Sequence, residues 1–478
     1  MKDIKNILLI RTTNQEKIIP PLGLLYVASA IRAWSRNHPC TIRIVDFTAE
    51  RLDANSFVRI VQEFAPDIVG LSSLDSEYAQ FKRISLLVRE AAPNSTLIAG
   101  GPLASNYYAD ILRNGLADFM VIGEGEVTIV ELLESLKRGD GFQAVSGIAF
   151  KKDKDIVQTA PRALIQDLNE INFPAWDLID LQRYAGFYNW NGILREKYHA
   201  PIMTSRGCVY HCIYCHNFFG KKVRMRTVEN LLAEIKLLNE RFGVKEFHFI
   251  DDFFNFDLER VKDICRAIIA CGLKIKIAFP NAIRADRMDE EALVLLKKAG
   301  AYKINYAIET ASPRLQTLIH KNLDLKKARS IIELTSRKGI IAFGFFMFGF
   351  PTETIEEMKE TISYAVASRL DNARFFKVVV HKNTEIEKLT KREYSIEHFD
   401  NCEDVDYYGH LTNFSDVPTA LLNNIILEAH WKFYLRPGRI FRLFVKYRNP
   451  WDVLARLFNV LSLVYLNRIT ADDTNTFY

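Results

Sequence analysis

Three cysteines, Cys208, Cys212 and Cys215, fall within eight residues of a chain that has seven in all. The spacing C-x3-C-x2-C puts three thiols on the short stretch Gly207-Cys-Val-Tyr-His-Cys-Ile-Tyr-Cys-His-Asn217, and thiolates are metal ligands. Buried free thiols are common singly and rare as such a cluster. A structural zinc takes four ligands; His211 or His216 can supply the fourth, although no second C-x2-C or H-x3-H pair exists in the chain. Three thiolates also suit a [4Fe-4S] cluster in which one iron is left for a further ligand. Cys40, Cys265, Cys271 and Cys402 are scattered singly and the total is odd, which excludes a secreted disulfide framework and points to a reducing cytoplasm.

A second group of residues could hold a ligand by shape. Small and polar residues recur after short apolar runs: Gly23 in PPLG, Ser72 and Ser73, Gly100, Gly101 and Pro102, then Gly123 and Glu124. Glycine lets backbone approach a ligand closely. Any one pair reads as a tight turn; four on one sheet edge argue for a ligand site. A nicotinamide is disfavoured, because no G-x-G-x-x-G opens the first helix.

The elements that must position these residues alternate regularly. Over residues 1–150, the runs NILLI, TIRIVDF, DIVGLSS, STLIAGG and DFMVIGEGE alternate with helical patterns, predicting a doubly wound parallel sheet whose ligands lie beyond the carboxyl ends of its strands. Residues 151–195 lose that period and read as a linker. From about 196 to 390, six βα units follow, a partial (β/α)6 barrel with chemistry expected at the carboxyl ends of its strands. Residues 391–478 include ALLNNIILEAHWKFYLRPGRIFRLFVKYRN and PWDVLARLFNVLSLVYLNRI, which read as helices rich in Leu, Phe, Tyr and Arg, with apolar faces expected to pack inward.

Composition agrees with a multidomain α/β protein. The chain has 478 residues, 49% hydrophobic and 25% charged, with a net charge of +5 that does not argue for nucleic acid. No apolar run approaches the length of a membrane span, and no N-terminal signal segment is visible.

Taken together, PPLGLLYVASAIR, PDIVGLSS, IAGGPLAS and DFMVIGEGE resemble the cobalamin-binding domain that precedes the catalytic domain in many radical SAM (S-adenosylmethionine) enzymes. The D-x-H-x-x-G motif of cobalt-ligating relatives is absent, and the corresponding loop reads RTTNQEKIIPPLG. The resemblance places cobalamin near Gly23, Ser72, Ser73, Gly100, Gly101, Pro102, Gly123 and Glu124, without a histidine on cobalt. The C-x3-C-x2-C loop, with aromatic Tyr214 before its third cysteine, is similar to the signature of the radical SAM superfamily. That likeness implies a [4Fe-4S] cluster on Cys208, Cys212 and Cys215. It also implies S-adenosylmethionine at the open iron, cleaved to a 5'-deoxyadenosyl radical.

Further positions follow from the same resemblance. Tyr214 would lie near the adenine. Asp252, after the second barrel strand, stands where relatives present an acceptor to the methionine ammonium. Glu309 in YAIETAS would reach the ribose, and Gly349 and Pro351 would lie along the adenine. Arg284 reads as a surface ion pair. The run FYLRP resembles the helical tail that caps the barrel mouth in these enzymes.

The whole looks like a class B radical SAM methyltransferase, with cobalamin-dependent methylation of an unactivated carbon implied. Cobalamin-dependent cyclisation, oxygenation or rearrangement is one alternative, and cobalamin-free radical coupling on a lipid is another. A non-catalytic zinc or iron-sulfur protein comes last. The implied partners are a small-molecule or lipid-like substrate and an electron donor such as flavodoxin or ferredoxin. A basic-aromatic tail also suits peripheral membrane contact.

Overall fold

The computed structural model of the chain describes residues 3–13, 19–185, 194–394, 413–447, 451, 453 and 454. The β-branched runs form β1 (Asn6–Arg11), β2 (Thr41–Asp46), β3 (Ile68–Ser72), β4 (Thr96–Gly100) and β5 (Phe119–Val121). Between and after them come α1 (Leu22–Ser35), α2 (Ala54–Phe64), α3 (Tyr78–Ala91), α4 (Pro102–Arg113) and α5 (Gly125–Arg138). Two further strands, β6 (Ile148–Lys152) and β7 (Asp155–Gln158), complete a sheet ordered β2-β1-β3-β4-β5-β6-β7. Pairings from β2 through β5 are parallel. The winding reverses between β1 and β3, and ligands bind at such a switch point. Phe57 of α2 and Phe81 of α3 are fully buried in this sheet's core, each stabilising the fold by about 2–3 kcal/mol.

The pair β6–β7 stands where a linker was expected from residue 151. It is an antiparallel hairpin on the end of the parallel sheet, turning through Asp153 at φ 55°. Its charged residues gave it a loop-like composition, yet Lys151 and Lys152 are simply the exposed end of β6. The rest of the expected linker is anchored too. Arg32 meets Asp177 at 2.8 Å, and the Tyr184 hydroxyl donates to Asp46 at 2.9 Å.

The chain packs as two compact units. One contains the residues up to Val209 with Asn217–Phe247; the other contains Tyr210–His216 and the described residues from His248 onward. Next in chain order are β8 (His199–Ile202), the short pair β9 (Ser205–Arg206) and β10 (Arg224–Met225), and α6 (Val228–Phe242). The βα repeat continues with β11 (Glu246–Phe249), α7 (Leu258–Ala270), β12 (Lys276–Ile283), α8 (Glu290–Ala299) and β13 (Ala301–Glu309). It closes with α9 (Pro313–Leu318), α10 (Leu325–Arg337), β14 (Ile341–Phe348), α11 (Ile355–Ala367), β15 (Asn372–Lys377) and α12 (Glu385–Tyr394). Six strands order as β15-β14-β13-β12-β11-β8, the expected count for a partial barrel. Helix starts are written locally: Thr227, Asp257, Asp289 and Asp324 each accept a backbone N–H of the first turn, and Thr354 with Glu357 forms a capping box.

In the tail, the expected single helix through FYLRPGR is two, α13 (Thr419–Tyr434) and α14 (Pro437–Lys446). Pro437 cannot continue α13, but its fixed φ suits the first position of α14. α13 packs along β15 and α11. The Tyr434 hydroxyl donates to the Ala373 carbonyl at 2.7 Å, at the amino end of β15. The other end of this tail segment reaches the carboxyl end of β14, where the Phe414 N–H donates to the Gly349 carbonyl at 3.1 Å. Most of the second expected tail helix, PWDVLARLFNVLSLVYLNRI, lies outside the described residues, as does Cys402.

Candidate functional site

The cysteine loop leaves β9 through Gly207, whose φ is 95°. A Cβ there would come within 2.4 Å of the Lys222 carbonyl oxygen, so the turn requires glycine. The Cys208 N–H donates to the Gly220 carbonyl at 3.2 Å, and the Cys215 N–H donates to the Cys212 carbonyl at 3.1 Å. No cysteine of the three is in a disulfide; Cys208 and Cys212 are half-buried and Cys215 is exposed. Among the described residues, no three His, Cys, Asp or Glu side chains converge tightly enough to hold one metal ion. A cubane offers each of three thiolates a different iron corner.

In the second unit, the loop residue Tyr214 meets the end of β13. Its hydroxyl donates to Glu309 Oε1 at 3.3 Å, and Lys321 Nζ lies 3.4 Å from the same oxygen. Burial pushes the Glu309 carboxyl above its usual range, against the pull of Lys321 and Tyr214. Desolvation also pushes the Tyr214 phenol well up, helped by the Glu309 charge and then by Cys212 and Cys215. Glu309 holds φ 68°, a strained conformation for a non-glycine residue that clusters at functional sites.

Arg284, expected at the surface, is buried. It grips Asp286 with two hydrogen bonds of 3.0 and 2.8 Å and donates to the Lys321 carbonyl at 2.8 Å. Its guanidinium stacks 4.0 Å from the Tyr210 ring centroid. Arg284 thus joins the cysteine loop to the turn that carries Lys321. Neither Lys321 nor Tyr210 was singled out from sequence, because both lie outside the short motifs and only the fold brings them in.

After β14, Gly349 takes φ 90°. Its N–H and that of Phe350 donate to Glu353 Oε2 at 2.6 and 3.1 Å, and Pro351 is buried beside them. Burial pushes the Glu353 carboxyl up to about 8, against the two N–H donors. The Phe350 ring centroid lies 5.9 Å from that of Tyr214, so this turn and the cysteine loop meet. After β11, Asp251 is buried and Asp252 is exposed. His381 and His216 stand edge to face with ring centroids 6.1 Å apart.

In the first unit, Thr12, Ser72 and Ser73 stand at the carboxyl ends of β1 and β3, the two strands at the switch point. Thr12 N–H donates to the Ser72 carbonyl at 3.3 Å, and the Thr12 and Ser73 hydroxyls share a hydrogen bond. Gly101 has φ 88°, and a Cβ on it would sit 2.9 Å from the Ser73 carbonyl oxygen. Gly23, Gly100 and Gly123 have open space where a Cβ would be, and Pro102 opens α4. This small-residue shelf suits a bulky planar ligand lying close to the backbone.

Glu124 is employed differently from its neighbours. Its buried carboxylate accepts from Arg206 at 2.9 Å, from Arg224 at 3.0 Å and from the Ile165 N–H at 2.7 Å. Arg206 also reaches Glu126 at 2.5 Å. Gly207 and Cys208 directly follow Arg206, so a buried ion network ties the loop after β5 to the start of the cysteine loop within one compact unit. The Glu124 carboxylate is satisfied by protein, which leaves its backbone, not its side chain, to line the shelf.

Two family models match the chain: the B12 binding domain over residues 9–133 and the Radical SAM superfamily over residues 202–365. The chain is a radical SAM enzyme carrying a B12-binding domain. Membership brings a [4Fe-4S] cluster and S-adenosylmethionine with the second match, and cobalamin with the first. The chain is 29% identical over 428 residues to an uncharacterized methyltransferase of Pyrococcus horikoshii, spanning 87% of this chain and 88% of that protein. It is 29% identical to the cytidylyl-2-hydroxyethylphosphonate methyltransferase of Streptomyces wedmorensis, over 74% of this chain and 75% of that one. Among solved structures, the cobalamin-dependent S-adenosylmethionine radical enzyme OxsB superposes with a TM-score of 0.71 at 18% identity, covering 98% of this chain and 71% of its own. That likeness shows the shared fold. Among the described residues, no helix of this radical SAM enzyme is long and apolar enough to cross a membrane.

Proposed function

We propose that this enzyme methylates an unactivated carbon of a small-molecule substrate, with Cys208, Cys212 and Cys215 holding the cluster. The observation that carries the reading is the joining of the cysteine loop to the buried, strained Glu309 through Tyr214, at 3.3 Å. Overall similarity to two named methyltransferases supports the choice of reaction. The cluster and S-adenosylmethionine supply radical generation, and cobalamin supplies a transferable methyl group.

The chain's own residues then position and insulate. Glu309, with Lys321 beside it, presents a fixed acceptor to the ribose hydroxyls. Arg284 keeps Tyr210 and the Lys321 turn in register, which fixes the loop on which Cys212 and Cys215 stand. Glu353 holds the Gly349–Pro351 turn open for the adenine. Asp252 is the exposed acceptor for the methionine ammonium. The shelf of Ser72, Ser73, Gly100 and Gly101 seats cobalamin, with no histidine assigned to cobalt. An external one-electron donor of flavodoxin or ferredoxin type supplies the reducing equivalent. Cyclisation, oxygenation and lipid coupling remain the competing outcomes.

Anaerobic reconstitution tests the reading directly. The wild type should take up about four irons, form 5'-deoxyadenosine, and pass the label of methyl-deuterated S-adenosylmethionine into a product seen by mass spectrometry. The variant with all three cysteines replaced by alanine should hold no cluster yet still bind cobalamin. Full iron in that variant overturns the ligand assignment. Unlabelled, cyclised or oxygenated product from the wild type overturns methylation.

A further inference from the structure

Helix α14 is amphipathic in the inverse sense. A helix on a globular surface turns its apolar stripe inward and its charges outward. Here Arg439 is only 3% exposed, and Lys446 turns in to reach Asp371 at 2.7 Å. Phe441 is 70% exposed and Val445 68%, four residues apart on the outer side, with Phe444 beside them. Just beyond, Trp451 is 73% exposed.

Beside this apolar ridge lies a cavity of about 640 Å³ lined by Arg329, Arg369, Arg436, Arg439 and Arg442, with Glu333 the one acid. Glu333 is engaged by Arg337 at 2.6 Å. Arg439 is held by neutral oxygens only: the carbonyls of Leu370, Val366, Ser368 and Phe433. Its guanidinium lies 3.6 Å from the Phe433 ring centroid. Burial and the neighbouring Arg442 and Arg436 pull its pKa down to about 10, so the pocket strains against its own positive charge. Arg442 lies 3.6 Å from Asp371; the other four arginines have no carboxylate partner among the described residues, and such a group forms a receptor for an anion, the guanidinium fork suiting phosphate.

We propose that α14 docks this enzyme on an anionic membrane surface, with lipid phosphate groups in the arginine cavity and Phe441, Val445 and Trp451 entering the acyl boundary. A bilayer interface offers both chemistries at once, phosphate for the forks and hydrocarbon for the ridge. An acidic protein would answer the arginines and leave the ridge in water. The inference stands apart from the reaction proposed above.

The test uses the full chain and sedimentation with vesicles. Wild-type protein should pellet with phosphatidylcholine vesicles containing about a third phosphatidylglycerol, and at least about tenfold less with phosphatidylcholine alone. F441D/V445D should lose at least about tenfold of that binding while keeping the wild-type circular dichroism and melting midpoint. R369Q/R436Q, at two exposed positions, should lose the preference for anionic lipid. Inorganic phosphate at millimolar level should compete weakly, because it meets only the cavity. The proposal fails if wild type ignores anionic vesicles, if F441D/V445D binds them as wild type does, or if phosphate alone abolishes binding.

Discussion

Two buried glutamates show how single residues shape the site. Glu309 combines a left-handed backbone with a carboxyl raised by burial, and it was legible because its motif marks the end of a strand. Glu353 was not, since P-T-E-T reads as an ordinary helix start; only the closed turn shows its carboxylate under the Gly349 and Phe350 amides. Burial raises its carboxyl pKa to about 8 in the folded state, against an ordinary value of 4.5. In that window the folded state binds more protons than the unfolded one, so stability falls as pH rises, by at most about 1.4 kcal/mol per pH unit. Glu353→Gln retains an acceptor and removes the titration. Its thermal midpoint should lose less than wild type's between about pH 5 and pH 8. Identical pH slopes would show that Glu353 is ionised throughout.

At the scale of elements, the strands were legible because a parallel sheet buries both faces and leaves unbroken apolar runs such as NILLI and STLIAGG. The contacts between elements were not. Nothing in GEGE announces that Glu124 answers Arg206 and Arg224 some eighty to a hundred residues on, because an ion pair leaves no periodicity. Arg284 looked superficial for the same reason, and the apolar faces of the tail helices were expected inward because hydropathy alone does not say which face is covered. Removing the Glu124 carboxylate leaves two buried guanidinium groups short of a partner. Glu124→Ala should cost about 3–5 kcal/mol in urea unfolding, and Glu124→Gln clearly less. A cost under about 1 kcal/mol for alanine would mean that water takes the carboxylate's place.

For the molecule as a whole, both family matches fall where the alternating pattern placed the two ligand-bearing sheets, and only the join between them was misread. The hairpin β6–β7 is part of the first sheet, so β5, three residues long, is not its edge. A fragment ending at residue 150 cuts β6 in half and uncovers backbone donors and acceptors that invite a second chain to pair. A fragment ending at residue 185 keeps the hairpin and the Tyr184–Asp46 bond. On size-exclusion chromatography the longer piece should run as a monomer and the shorter as aggregate; equal behaviour would mean that the hairpin is dispensable. The hairpin also bears on ancestry. If such modules have been exchanged between genes, a crossover at the end of the alternating pattern would have produced sticky offspring. Viable recombinants would have carried the hairpin along, so the inherited unit is longer than the stretch that touches the vitamin.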